Sequence, residues 1–370
     1  MRFQAEQQVL VNVLQKIQGI AGKKASMPVL SHVLLVAQED RQLVLSATDL
    51  DLSLRTSAEV TLEETGQTTV SAKKLLEIVR EVNAEKLTFF LNPNNRLEVL
   101  AGRSQFELAT IPAEDFPFFN IAADAATVSF EAQVLRNALI RTLFAIPADD
   151  DPFSVPGLFC EVQSDGEIRF IASDGHRLAY EQVELLHFDQ LGLDRGIIIP
   201  RKGVAELVRI LEKEERAKIG LKEDRLLVKV ANTVLSIQLL EEEFPQYRAI
   251  VPDQRPNGFL INREQLYLAL KRLSVFTDQN WKHVLLQLRG ERLELSSGNP
   301  ELGQANDEVD VVEAQGEPLS MSFNIRYVME ALQLMDSEMI RFEWLDELHG
   351  GIFTEPDNAD YLSLIMPMLV

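Results

Sequence analysis

The chain has 370 residues, which is too long for one ordinary core and predicts two or three domains. Its composition is globular, and no apolar run approaches the roughly 20 residues that span a membrane. The net charge of −21 argues against nucleic-acid binding if the charge is evenly spread, because an acidic surface repels a polyanion.

Cysteine usage and the first residues indicate a reducing compartment. Cys160 is the only cysteine, and its alternating stretch "GLFCEV" predicts a buried strand. One cysteine forms no internal disulfide and no thiolate metal cage. The start, "MRFQAEQQVL", is polar where a signal peptide has its apolar core. We therefore expect a cytoplasmic protein.

Helices and strands are predicted along the whole chain. Apolar residues recur at helical spacing in six segments, 7–24, 71–86, 131–148, 200–218, 263–273 and 325–338. Alternation predicts strands in "RQLVLSA", "RLEVLAG", "EIRFIAS", "RLLVKVA" and "ERLELSS". Strands outnumber helices, and the helices do not follow one per strand. This favours an α+β fold over a doubly wound parallel sheet.

The chain repeats one pattern three times. Helical faces recur at Phe3, Leu10 and Leu14, at Val128, Leu135 and Leu139, and at Phe259, Leu266 and Leu270. The stretches "VSAKKLLEIV", "IPRKGVAELV" and "FNIRYVMEAL" share a basic residue and a glutamate at matching places, and "LSATD", "IASDG" and "LSSGN" align as well. Their common order at a spacing of about 125 residues predicts tandem domains of similar fold. We place them at 1–122, 127–250 and 257–370, with linkers at 120–126 and 251–258.

The basic residues concentrate in the predicted helices. Lysine and arginine outnumber aspartate and glutamate in the six helical segments, and the remainder is strongly acidic. Six helices around a shared axis, with the sheets outside, would form a positive surface that attracts phosphates without reading bases. An ordinary set of lysine-bearing helix surfaces is the alternative.

Eight segments in a fixed order resemble the bacterial DNA polymerase III β subunits, the sliding clamps. They are "MPVL", "ATDLDLSL", "AGRSQFELATIPAEDFP", "ASDGHRLA", "IIPRKGV", "EFPQYRAIVP", "FNIRYVMEAL" and "IMPM", and they span essentially the whole chain. The resemblance implies three DNA-clamp domains with antiparallel sheets outside and helices inside. It also implies a head-to-tail homodimeric ring around duplex DNA that tethers the replicative polymerase, is opened by a clamp loader, and has no cofactor.

The resemblance also implies a subunit interface. One side takes in Lys74, Arg103, Phe106 and Leu108, and the other takes in Val275, Phe276, Glu301 and Asp307. Phe106 and Leu108 alternate with Glu107, as a strand needs in order to present both apolar chains on one face. Ordinary core packing of Phe106 is the alternative. Gly303 stands where a family member can carry an acidic residue, so we expect fewer ion pairs here.

A peptide-binding pocket is the further implication of the resemblance. It takes in Val155, Ser173, Gly175, His176, Arg177, Leu178, Pro245, Ile250, Asn324, Tyr327, Leu348, Leu364, Met366, Pro367, Met368 and Leu369. Apolar walls with a few polar groups suit a peptide with a glutamine and Leu/Phe anchors, and methionine adapts to several partners. His176 and Arg177 are expected at its polar edge. Ala249 and Leu369 stand where family members can have arginine, which reduces that edge.

Two classes of function compete with a clamp. Asp174 and His176 in "SDGHRL" could form part of a hydrolase dyad, but no nucleophile motif and no metal-ligand spacing accompanies them. A non-catalytic interaction scaffold that does not encircle DNA would explain the acidic exterior but not the basic helices. For phosphate contact we expect Lys24, Lys73, Arg201 and Lys202. The loop 147–156 is acidic and has Phe153-Ser154 where a family member presents tyrosines to DNA.

Overall fold

The helices lie where the sequence predicts them. The computed structural model describes residues 1–22, 27–117, 127–148, 154–163, 166–184, 191 and 196–368. Within these residues the helices are α1 (Gln7–Gln18), α2 (Ala72–Glu81), α3 (Ala132–Leu143), α4 (Arg201–Ile210), α5 (Arg263–Leu273) and α6 (Ile325–Gln333). Only α5 has its predicted length. The others end earlier, because the apolar pattern continues into turns and strands that pack on the same core.

The strands of the described residues are short and numerous. In the first repeat they are β1 (Arg2–Glu6), β2 (His32–Ala37), β3 (Gln42–Thr48), β4 (Leu52–Glu59), β5 (Thr61–Glu64), β6 (Gly66–Ser71), β7 (Lys86–Leu91), β8 (Arg96–Ala101) and β9 (Ser104–Ile111). In the second they are β10 (Thr127–Glu131), β11 (Gly157–Val162), β12 (Ile168–Ser173), β13 (Arg177–Val183), β14 (Ile197–Pro200), β15 (Arg216–Lys222), β16 (Arg225–Val230) and β17 (Thr233–Gln238). In the third they are β18 (Asn257–Asn262), β19 (His283–Arg289), β20 (Arg292–Asn299), β21 (Gly303–Gln315), β22 (Ser320–Asn324), β23 (Met339–Trp344), β24 (Gly351–Glu355) and β25 (Asn358–Ile365).

The chain divides into two compact units, and each contains one antiparallel sheet. The first unit contains Met1–Arg136 and Ala205–Leu239, and its strand order is β10-β15-β16-β17-β4-β3-β2-β6-β9-β8-β7-β1-β5. The second contains most of the remaining chain, in the order β14-β11-β12-β13-β25-β24-β23-β18-β21-β20-β19-β22. The fold is therefore α+β, as predicted.

The same connections recur in all three repeats. The first strand of each pairs with the strand that follows its second helix, as β1·β7, β10·β15 and β18·β23. At the start of each first helix one backbone N–H donates at 2.9 Å to the carbonyl just before that strand, as Gln7 to Glu85, Ala132 to Glu215 and Arg263 to Glu338. The sequence repeat is thus a repeat of topology.

Neighbouring repeats join through equivalent strands. β4 of the first repeat pairs with β17 of the second over five residue pairs, and β13 of the second pairs with β25 of the third over five. By the same topology β9 is the equivalent of β17 and β25, and β21 is the equivalent of β4 and β13. No strand of the described residues pairs with β9 along the outer edge of Ser104–Ala109, or with β21 along Gly303–Asp310. Each end of the series therefore carries one unpaired edge.

Side chains from the first helix of each repeat also hold the end of the second. Gln7 Nε2 donates to the carbonyls of Val79 and Val82 at 2.8 and 2.7 Å. The last carbonyls of a helix have no hydrogen-bond partner within that helix, so this amide supplies one. Gln133 does the same for the turn after α4, and Arg263 for the end of α6. All three repeats therefore use a side-chain hydrogen bond from the first helix to carbonyls at the end of the second, although the residue that donates it differs.

The core of the third repeat is aromatic. Phe342 lies 4.8 Å from Phe353, 5.4 Å from Phe259, 5.6 Å from Trp344 and 5.9 Å from Phe323 between ring centroids. All five side chains are at most 2% exposed. Burying each contributes about 1.5–3 kcal/mol, which fixes the sheet that carries β24 and β25.

A buried ionic cluster lies beside β13, β24 and β25. Arg141 of α3 pairs with Glu181 at 3.4 Å, Glu355 at 3.2 Å and Asp336 at 2.6 Å. Its guanidinium also lies 5.0 Å from the ring centroid of Tyr361. Glu181 and Glu355 are 8% and 3% exposed, so a single arginine balances two buried carboxylates.

Candidate functional site

The segment 171–180 forms a tight hairpin between β12 and β13. Asp174 Oδ1 accepts the backbone N–H groups of His176 and Arg177, both at 3.0 Å, and Oδ2 accepts Arg177 Nε at 3.0 Å. Gly175 has φ 79°, a left-handed conformation that glycine adopts without strain. Asp174 therefore builds the turn. Its hydrogen bonds go to backbone and arginine and not to the His176 ring, which removes the geometry that a hydrolase dyad requires.

Arg177 lies beneath this hairpin. Its side chain is 10% exposed, its Nη2 donates to the carbonyl of Phe144 at 2.6 Å, and its Nη1 pairs with Glu330. The guanidinium carbon is 4.1 Å from the ring centroid of Tyr327 and 4.9 Å from that of Phe144. The structure corrects the role expected at the polar edge, because Arg177 is enclosed. His176 is exposed and remains available at that edge.

The end of the chain runs beside the same hairpin. The backbone N–H of Met366 donates to the carbonyl of His176 at 2.8 Å, and that of Met368 donates to Ser322 at 2.7 Å. Met366, Pro367 and Met368 are half-buried, so each keeps part of its apolar surface open. The structure thus brings "SDGHRL" and "IMPM" together. Leu369 lies outside the described residues.

Buried residues support these exposed ones. Leu178 and Leu364 are each 1% exposed and form one cluster with Ile171, Tyr247, Ile352 and Leu362, against which Met366 packs. Asn324 is 6% exposed, and its side chain caps α6 by accepting the Arg326 N–H at 3.1 Å. The two leucines and Asn324 are therefore buried residues that support the candidate site from within the fold.

The remaining pocket candidates differ in exposure. Tyr327 is half-buried, and burial raises the pKa of its hydroxyl, as does the Asp174 carboxylate. Pro245 and Ile250 are exposed, on either side of the buried Tyr247. Leu348 is 76% exposed in a turn capped by Asp346, and Val155 is half-buried before β11. Among the described residues, no hydrogen bond links Val155 or Leu348 to residues 366–368.

The candidates for phosphate contact have different surroundings. Lys73 is 71% exposed, with Glu77 at 3.8 Å, and Lys202 is exposed on α4. Arg201 donates to the carbonyls of Ile146 and Pro147 and is only half-exposed, so it caps the end of α3. Lys24 and residues 149–153 of the acidic loop lie outside the described residues.

Several arginines of the helices are structural. Arg141 is enclosed by carboxylates, Arg136 donates to the Val208 carbonyl at 3.2 Å, and Arg209 donates to the carbonyl of Lys16 at 2.6 Å. Arg136, Arg209 and Arg263 therefore hold helix ends, and Arg201 holds the turn after α3. The exposed basic residues of the helices include Lys73, Lys74, Arg80, Lys202, Lys271, Arg272 and Arg326.

The interface candidates lie at the two unpaired edges. On β9, Phe106 and Leu108 are half-buried and point to one face, while Arg103 before β9 and Lys74 on α2 are exposed. Lys74 already pairs with Glu77 at 2.8 Å. These four residues therefore combine an apolar strand edge with positive charge.

The β21 edge is apolar at its start. Val275 is 72% exposed, Phe276 is half-buried with its ring 3.7 Å from where a Cβ on Gly303 would lie, and Glu301 is exposed. Asp307 pairs within the chain with Arg272 at 2.7 Å, which lowers the pKa of Asp307. Leu302, 56% exposed beside this edge, was missed by the sequence analysis, which had no signal to separate it from ordinary loop leucines.

Several observations bear on catalysis and membranes. Among the described residues no three histidine, cysteine or acidic side chains are grouped to hold a metal ion. Cys160 is 1% exposed in β11, as predicted, and burial raises the pKa of its thiol. No helix in the described part of the chain is long and apolar enough to cross a membrane. Over the described residues, the fold defines a protein of three repeats with one topology and two unpaired strand edges.

Comparison with known proteins identifies the family. The model of the DNA polymerase III beta subunit matches in three parts, as the N-terminal domain at residues 1–121, the central domain at 129–246 and the C-terminal domain at 248–369. The beta sliding clamps of Pseudomonas aeruginosa and Vibrio cholerae are 33% and 31% identical, over the full length of both chains. A crystal structure of the P. aeruginosa clamp bound to griselimycin superposes with a TM-score of 0.92 at 31% identity and complete coverage of both chains.

The chain belongs to the DNA polymerase III beta subunit family, the bacterial sliding clamps. Its fold is accordingly the three-domain clamp fold, and its function is that of a non-catalytic processivity factor of DNA polymerase III.

Proposed function

We propose that two copies of this chain close head to tail into a ring that encircles duplex DNA. The main support is the strand pairing between neighbouring repeats, which we call a junction. In the two junctions, β4·β17 and β13·β25, every equivalent strand edge of the described residues is paired except those of β9 and β21. A chain that ends in two complementary edges forms closed rings or open filaments with its copies, depending on the rotation per subunit. Family membership favours the closed dimer.

The two junctions within the chain predict the register of the third. At the first junction Leu52 pairs with Ile237 and Leu54 with Leu235. The matching positions are Gly303 and Ala305 on β21, and Leu108 and Phe106 on β9. We therefore propose that Leu108 of one copy lies opposite Gly303 of the other, and Phe106 opposite Ala305. Small residues on β21 then leave room for the two large side chains of β9.

Apolar surface at these edges supports this interface. Val275 and Leu302 are both more than half exposed beside the start of β21, where they extend the apolar surface of this edge. Arg103 and Lys74 beside β9 carry charge opposite to Glu301. Surface pairs of this kind contribute about 0–1 kcal/mol each, so burial of the apolar residues supplies most of the stabilisation.

DNA contact is proposed for the exposed basic residues of the helices. Lys73 and Lys202 present flexible ammonium groups, which bind phosphate as point charges and without reading sequence. Such contacts exchange readily with salt and water, which lets a ring slide. Arg201 is a weaker candidate than the sequence suggested, since its guanidinium is engaged by the carbonyls after α3.

Partner binding is proposed at the groove between the hairpin and the chain end. Met366, Pro367 and Met368 offer apolar surface, and Tyr327 and His176 offer polar groups, all held by hydrogen-bonded backbone. A short peptide with a glutamine and Leu/Phe anchors suits this surface. The replicative polymerase, the clamp loader and other replication or repair proteins would compete for it in the cytoplasm. The P. aeruginosa relative that binds griselimycin is consistent with a ligand site on this fold.

Retention on DNA tests the ring directly. The loaded protein should stay on a closed circular plasmid through a gel-filtration column and should be lost when one restriction cut makes the plasmid linear. An end-blocked linear DNA serves as the matched control and should retain the protein again. Equal retention on cut and uncut DNA would contradict encirclement and would favour the non-catalytic scaffold that does not surround DNA.

A further inference from the structure

Arg177 makes more polar and ring contacts than any other pocket candidate. It meets Asp174 of its own turn, the carbonyl and ring of Phe144 after α3, and both Glu330 and Tyr327 of α6. These partners belong to three separate segments of the second unit. One side chain therefore sets the relative positions of the hairpin, the end of α3 and α6.

The contacts use the particular shape of arginine. The planar guanidinium lies over the Tyr327 ring at 4.1 Å and the Phe144 ring at 4.9 Å, while its N–H groups donate to Asp174, Glu330 and a carbonyl. A cation over an aromatic ring is held more strongly where water is excluded, and this side chain is 10% exposed. Lysine offers one ammonium group and no plane, so it cannot make these contacts together.

Enclosure also limits what a bound peptide can reach. Each of the three guanidinium nitrogens of Arg177 donates to a protein group, whereas His176, Met366 and Met368 keep open surface. We propose that Arg177 is a positioning residue of the peptide site, which holds the Tyr327 ring and the Asp174 turn in the receiving geometry without contacting the peptide. This inference rests on the proposed function, in which Tyr327 and the tail bind a partner peptide.

The first test replaces the arginine conservatively. Arg177→Lys keeps the charge and should weaken binding of a Gln-Leu-Ser-Leu-Phe peptide about tenfold by calorimetry, because the Tyr327 ring loses its support. Arg255→Lys is the matched control. Arg255 is also partly buried, pairs with Glu343 at 3.1 Å in the same unit, and has no contact with Tyr327 or the hairpin. The control should bind like wild type.

A double-mutant cycle separates positioning from direct contact. If Arg177 acts through Tyr327, Arg177→Met should weaken binding strongly in the wild-type background and by less than twofold once Tyr327→Ala is present. If Arg177 touches the peptide itself, the two losses should multiply, and that result overturns the proposal. A merely structural role, which lowers the melting temperature and leaves affinity unchanged, overturns it as well.

Glu330→Gln provides the decision if the arginine variants do not fold. This change preserves size and weakens only the ion pair with Arg177, so we expect a two- to fivefold loss of affinity with an unchanged circular dichroism spectrum. Wild-type affinity in this variant would overturn the positioning role. No binding by the wild-type chain would instead overturn the proposed peptide site, which keeps the two failures distinguishable.

Discussion

Removing Arg141 should strongly destabilise the second unit. Arg141→Met keeps the length of the side chain but leaves Glu181 and Glu355, 8% and 3% exposed, without their cation. Breaking a buried ion pair from one side costs about 3–5 kcal/mol. Arg292 is the matched control, because it is 60% exposed and pairs with Glu308 at 3.2 Å. Arg292→Met should cost less than about 1 kcal/mol.

The destabilisation should also depend on pH. Burial, with smaller effects of Glu355 and Asp360, raises the pKa of Glu181 to about 7 against the opposing effect of Arg141. Because this folded-state pKa is raised, the group's contribution to stability is complete below about pH 4.5 and is lost as pH rises to 7. Without Arg141 the pKa of Glu181 rises further. The free energy of unfolding then continues to fall above pH 7, by about 1.4 kcal/mol for each unit by which this pKa rises.

Urea unfolding at two pH values measures both effects. Trp344 is 2% exposed in the second unit, so its fluorescence reports unfolding there. The difference between Arg141→Met and wild type should be about 3–5 kcal/mol at pH 8 and smaller by at least about 1.4 kcal/mol at pH 5.5, where Glu181 is protonated in both proteins. A difference below 1 kcal/mol that is equal at both pH values would refute the reasoning.

Three further predictions concern binding surfaces. Phe106→Asp should give monomers by analytical ultracentrifugation, since a charge buried without a partner costs several kcal/mol, and a dimer that persists at micromolar concentration would contradict the β9 assignment. Replacing Lys73 and Lys202 by glutamate should reduce retention on circular DNA and its salt dependence without changing the melting temperature, and unchanged retention would exclude both from phosphate contact. Deleting 366–370 should nearly abolish peptide binding of about −8 kcal/mol, and His176→Ala should cost about 1 kcal/mol, with wild-type affinity after deletion placing the peptide elsewhere.

The elements were predictable because their signals are local. All six helices carry an apolar stripe, and the repeat of about 125 residues gave three copies of one topology. Helix ends were less predictable, since the predicted helices 200–218 and 71–86 include Arg216 and Lys86, which begin strands in the structure. Where a helix ends is decided by tertiary partners such as Gln7, whose side-chain amide donates hydrogen bonds to the carbonyls of Val79 and Val82 at the end of α2.

The site was predictable in its members but not in their roles. Sequence placed Arg177 beside His176, and the two have opposite environments because His176 lies in the exposed turn whereas Arg177 begins β13. The partners of Arg177, Phe144 and Glu330, are 33 and 153 residues away in the chain, so no local pattern links them. The same limit explains Arg201, whose basic character is visible in sequence while its carbonyl partners are not.

The repeats also explain why one chain should carry one peptide site. The backbone of the hairpin recurs at the first junction, where Asp49 N–H donates to the Leu52 carbonyl and Gln238 N–H donates to that of Asp51. Leu50 even shares the left-handed backbone of Gly175, with φ 86° against 79°. The backbone arrangement of the site therefore occurs twice in the chain.

Side chains make the two copies different. Leu52 stands where the second junction has Arg177, and the repeat aligns Gly203 with Tyr327, so the first copy has neither the guanidinium nor the ring that it supports. Gln238 replaces Met366 at the position that would offer apolar surface. At the proposed junction between two copies, Gly303 stands at the position of Leu52 and Arg177 and has no side chain at all. Under the proposed function, one backbone arrangement thus serves as strand pairing alone at the first junction, as the peptide site at the second, and as the surface on β21 that would accept Leu108 of another copy at the third.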